Sequence, residues 1–194
     1  NNTNEFITDV NEQNLNNLRT SWVAAYKSWQ SIEMFDLRKA EEIVYARVSN
    51  SYPCIEEKVL NNINDSVSEI ISFSASMLGA TGFPAIGYLI YGNDSSSVIT
   101  NFNSSNGLKY SAYLNALVNN LVENTNAVID DWSSARSDFV NSTANTQTSS
   151  LNILVNDFVY YLEKKIRTAK IGNPIDFFGT VEPKPGLVES YYRP

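Results

Sequence analysis

Apolar positions in this chain recur in steps of three and four, the spacing of helices that turn one face to a core. Leu15, Leu18, Trp22, Tyr26 and Trp29 form the first stripe, with Glu33 on the same line. It predicts a helix from about Asn11 to Phe35, with helix able to continue through Asp36–Val48. The segment Ser49-Asn50-Ser51-Tyr52-Pro53 breaks it, because the residue before a proline is pushed out of the helical region. Cys54 to Ile63 reads as a short helix or turn. Ser66-Val67-Ser68-Glu69 has the spacing of a capping box and opens a helix through Ile70, Ile71, Phe73 and Met77, which Gly79 stops.

Asn93-Asp94-Ser95 signals a turn and cap before a short apolar run at Val98, Ile99 and Phe102. The longest stripe, from Leu108 to Val140, runs through Leu114, Leu117, Leu121, Val128, Trp132, Ala135 and Phe139. After a polar connection, a last helix carries Leu151, Leu154, Val155, Phe158, Leu162 and Ile166, with cations Lys164, Lys165, Arg167 and Lys170 near a C-cap at Gly172. No strand-like alternation persists. The chain is expected to be all-α, an up-and-down helical bundle of four main helices plus short ones. Residues 1–10 read as a polar tether, 11–172 as the bundle and 173–194 as a Pro-rich extended tail or link.

The segment Thr81-Gly82-Phe83-Pro84-Ala85-Ile86-Gly87-Tyr88-Leu89-Ile90-Tyr91-Gly92 stands apart, with two glycines bracketing an apolar run. Pro inside a helix costs about 3 kcal/mol relative to Ala and Gly about 1. Pro84 escapes most of that in a first turn, where its missing N–H has no partner to lose. A short helix from near Phe83 to Gly92 follows.

Composition narrows the chemistry. The net charge of −7 gives no basic footprint for a nucleic-acid backbone. No stretch approaches the roughly 20 apolar residues of a membrane span, and none has the make-up of a signal peptide. The single cysteine, Cys54, cannot form an intramolecular disulfide and reads as a buried thiol. There is no histidine, which removes Ser-His-Asp and Cys-His machinery and any zinc-binding His pair.

The central segment resembles the signature of the imelysin-like proteins, the M75 peptidase family that includes periplasmic iron-uptake lipoproteins. That family carries a Gly-x-His-x-x-Glu motif in similar surroundings. Gly82 matches the motif glycine, while Pro84 stands in the place of the His and Gly87 in that of the Glu. The opening helix, with Trp22, Trp29 and Glu33, and the closing stretch from Ser150 to Pro174 are also similar to the family. Val188-Glu189-Ser190-Tyr191-Tyr192 resembles its link into a second bundle. The resemblance implies the first of two helical bundles, the motif facing a cleft between them, and export to a bacterial periplasm or cell surface as a lipoprotein. Membrane attachment would come only through a lipid anchor lying outside this sequence.

Pro offers no side-chain donor or acceptor and Gly no side chain, so the motif's metal ligands are absent. The expectation is a non-catalytic protein that binds a ligand or partner in iron or haem acquisition, with no cofactor of its own expected; iron or haem enters by resemblance alone. A metallopeptidase with unconventional ligands and a structural or protein-interaction module, completed by a partner or a second bundle, are the alternatives. Glu33, Phe83, Tyr88 and Arg167 are the candidate cleft-lining residues, although Glu33 reads more readily as the partner of an arginine such as Arg38 or Arg167. Trp22, Trp29, Trp132, Tyr160 and Tyr161 fit a core better than a stack against haem.

Overall fold

The computed structural model describes residues 1–65 and 77–175. Among them the chain is helical, without strands; an isolated antiparallel bridge joins Asn50 and Gly82. In order come α1 (Asn2–Thr8), α2 (Glu12–Gln30), α3 (Lys39–Glu42), α4 (Tyr45–Ser49), α5 (Glu56–Asn64), α6 (Gly82–Tyr91), α7 (Ser95–Asn103), α8 (Gly107–Asn141) and α9 (Ser150–Tyr160). The helix of α9 continues as a wider π-wound stretch, Tyr161–Gly172, in which the Asn173 N–H reaches back to the Thr168 carbonyl. The all-α expectation holds. No helix among the described residues is long and apolar enough to cross a membrane.

α6 is the centre. Every residue from Gly82 to Ile90 is buried, as befits a helix that is apolar all round. α2 packs on it through Leu15, Leu18, Trp22 and Trp29, and α8 through Tyr113, Leu114 and Leu117. Pro84 lies in the first turn, as its cost requires. Arg19 ties α2 to the other end of α6: its Nε donates to the Ile90 carbonyl at 2.7 Å and its Nη1 to Ser95 Oγ at 2.7 Å, with the guanidinium over the Tyr91 ring. Tyr113 donates to the Ala80 carbonyl at 2.6 Å and so fixes the entry to α6. At the turn into α7, Asp94 accepts from Ser96, Ser97 and the Ser97 N–H, which hold its carboxyl well below the usual range.

Three expectations change. Residues 1–10 are no tether: α1 is capped by Asn1, and Phe6 is fully buried, edge-on to Phe102 at 4.9 Å. Three apolar residues in a polar decapeptide, Phe6, Ile7 and Val10, were enough to cover a face. The first helix ends at Gln30 rather than Phe35 and does not continue through 36–48. Arg38 and Val44 adopt positive φ (55° and 50°), which no right-handed helix admits, and split that stretch into α3 and α4. The last helix is the third. Its stripe is not in the core: no residue of α9 is buried, and Leu151 is 70% exposed. Tyr160 is exposed and Trp132 half-buried against Phe139, whereas Trp22 and Trp29 are core as expected.

The capping box at Ser66–Glu69 and the helix expected through Phe73 lie outside the described residues, as does the tail beyond Ile175.

Candidate functional site

Gly82 opens the site because of backbone proximity. Its φ is +73°, and a Cβ there would stand 2.2 Å from the Ser49 carbonyl oxygen. Only glycine lets the 48–50 segment pair with the start of α6. One turn on, Gly87 is needed for a different reason. The Trp22 ring lies over it, and a Cβ at 87 would fall 2.9 Å from Trp22 Cζ2. Trp22 is held there by a buried hydrogen bond from its Nε1 to the Phe83 carbonyl, at 3.1 Å. Pro84 is fully buried and offers no polar atom on its side chain. The space above position 87 is thus occupied by an indole.

Beside this plug the aromatic rings continue. Tyr26 stacks on Phe83 at 4.8 Å and on Trp29 at 6.0 Å, and packs tilted against Trp22. The Tyr26 hydroxyl donates to Asn50 Oδ1 at 3.1 Å, and Asn50 Nδ2 approaches Glu33 Oε1 at 3.5 Å. Glu33, 5% exposed in the turn after α2, accepts on its other oxygen from the Tyr161 hydroxyl at 3.2 Å. Lys170 Nζ stands 3.9 Å from that oxygen. Burial first, and the Glu33 charge second, push the Tyr161 phenol up to about 12, so it stays a donor at neutral pH. Burial likewise raises Tyr26. The chain Tyr26–Asn50–Glu33–Tyr161 is one connected polar network between α2 and the last helix.

A model of the family described as Imelysin, Peptidase M75, matches residues 1–192. The chain belongs to the imelysin family. No curated protein and no solved structure matches it.

A metal of the kind an M75 peptidase would use does not fit the motif positions of this imelysin-family chain. Pro84 and Gly87 supply no ligand atom, and Trp22 fills the volume a Glu at 87 would need. Among the described residues, no group of three or more Asp, Glu or Cys side chains is gathered to hold an ion. The cluster around Glu33 offers one carboxylate with donors already on both oxygens. It can anchor a helix or a polar ligand.

Of the candidate residues, Glu33 and Phe83 share this site, bridged by Tyr26. Tyr88 and Arg167 do not. Tyr88 faces Glu56, Cys54 and Tyr110 on another side of α6, where burial and then Glu56 raise its phenol to about 12. Arg167 is exposed and pairs with Glu163 one turn away at 2.7 Å. Neither arginine proposed for Glu33 is its partner, because Arg38 pairs with Asp131 of α8 through two contacts near 3 Å. The helix end at Gln30 swings Glu33 toward residue 50 and the last helix instead. Lys170, read in sequence as a solvated helix end, and Asn50, read as a breaker, were missed; no periodicity in either segment marks them. Cys54 is half-buried, and burial with Glu56 nearby raises its thiol to about 12, which leaves it unreactive.

Proposed function

We propose that this imelysin-family chain is non-catalytic and acts by binding a ligand or a partner, at a bacterial periplasm or cell surface, in iron or haem acquisition. One observation carries the non-catalytic part: Trp22 fills the place where the family's Glu would project, hydrogen-bonded to the Phe83 carbonyl and packed on Gly87. A metallopeptidase needs several positioned ligands and an open position for water. The acquisition role and the export come from the family resemblance alone. The test is to equilibrate the protein with iron, zinc, calcium and haem, desalt it, and measure bound metal by mass spectrometry alongside peptide hydrolysis with and without chelator. No stoichiometric metal and no chelator-sensitive cleavage are expected. One retained equivalent with matching cleavage overturns the reading.

A second reading, a module completed by another protein or another bundle, is favoured by the last helix. Leu151, Val155, Phe158, Val159, Leu162 and Ile171 are all more than two-fifths exposed. Large apolar patches on a surface mark interaction sites. Sedimentation velocity decides it: association removed by Phe158→Ser and Val155→Ser together supports docking on this face, and a concentration-independent monomer speaks against self-association there.

A further inference from the structure

α2 and α8 are the two longest helices, and they are held apart. Between them lies an open cavity of about 680 Å³, within the range of small-molecule sites. Its floor is Trp22, Trp29, Phe83 and Leu121, and its rims are Ala25 on α2 and Val122 on α8. None of the side chains that line it is charged. Along α2 the lining runs from Leu18 to Trp29, about 16 Å at the helical rise. The space is long, apolar and neutral.

Its polar atoms are few, and most are spoken for. The Trp22 N–H is taken by the Phe83 carbonyl. Tyr45 and Thr125 bond each other at 2.8 Å, and Thr125 donates onward to the Leu121 carbonyl at 2.6 Å. Trp29 is the exception. It is 4% exposed, and its indole Nε1 is buried with no acceptor. That nitrogen has almost no accessible surface, so an occupant of the cavity meets the ring and not its N–H.

We propose that this cavity binds an uncharged molecule with a long hydrocarbon chain, such as a neutral acyl ester. The chain would lie along α2 over the aromatic floor. A fatty-acid anion or haem propionates would bring charge into a lining that has none to offset it. The cavity, and not the emptied motif, carries this inference. Metal retention would leave it untouched, and failure of lipid binding would leave the non-catalytic reading intact.

The probes are 1-monolauroylglycerol, laurate and dodecyltrimethylammonium, each below its micelle concentration, followed by displacement of N-phenyl-1-naphthylamine from the full chain. Saturable one-to-one binding of monolauroylglycerol is expected, at least tenfold tighter than laurate or the cation. Ala25→Trp, at an exposed rim position, should abolish it by filling the cavity. No saturable binding overturns the proposal, as does binding that survives Ala25→Trp or laurate binding as tightly as the ester. A dimer that Ala25→Trp dissociates would assign the groove to a second copy and overturn it equally.

Discussion

α6 and α9 are both short apolar helices, and the fold treats them oppositely. Nine consecutive residues of α6 are buried, while none of α9 is. The difference lies in what each can approach. Gly82 and Gly87 let backbone and indole come within distances that any side chain would forbid, so neighbours close around α6 on every side. α9 has no such entry points. Polar bonds hold the last helix: Ser150 to the Phe139 carbonyl, the Asp36 N–H to Asp157 at 2.9 Å, and Tyr161 and Lys170 to Glu33. An apolar stripe therefore tells that a face is to be covered, and small residues tell where covering has been arranged within the chain.

The sharpest test of this contrast is Ile90→Ala, which empties a fully buried site in α6. It should cost about 2–5 kcal/mol, read as a lower urea midpoint at unchanged slope. A loss below about 1 kcal/mol would mean that α6 is not the centre of the core. Glu33→Ala comes next. It strips the acceptor from Tyr161 and Asn50 and should cost about 1–3 kcal/mol. Hydrogen exchange should rise selectively across Tyr161–Gly172. Uniform exchange across the chain would show that the Glu33 network does not hold that helix.

Phe158→Ser should change folding stability by no more than about 0.5 kcal/mol, as surface substitutions do. A larger loss in the isolated chain would prove this face covered. The smallest effect concerns Asp36 and Asp157. Burial first, then Asp157, raises the Asp36 carboxyl above 3.8, and burial raises Asp157 as well; one Asp36 oxygen is buried without a partner. With folded values above unfolded ones, the native state binds more protons in that window. Stability therefore falls as pH rises from about 3.8 through the raised values, and the cost stays in full above them. Asp36→Asn should raise the melting temperature slightly near neutral pH, with the gain shrinking toward pH 4. A gain that grows on acidification would reverse the sign assigned to Asp36.

The sequence alone carried the helices, since their spacing is a local property of consecutive residues. It marked α6 through its glycines and proline, placed Trp22 and Trp29 in the core, and showed that positions 84 and 87 hold no metal ligand. Phe6 escaped notice because three apolar residues in a polar decapeptide, Phe6, Ile7 and Val10, are too few to mark a stripe. The break at Arg38 and Val44 escaped because neither residue type favours positive φ, so only the surrounding packing could impose it.

Tertiary structure decided the rest. It paired Glu33 with Tyr161 and Lys170 instead of an arginine, because the helix ended three residues earlier than Glu33's place on the stripe implied. It put Trp22 over Gly87, a contact between positions 65 residues apart that no local pattern encodes. It also left a neutral cavity between α2 and α8 and an uncovered stripe on α9. Periodicity fixes which faces are apolar; which of them meet depends on the distances at which backbones can approach.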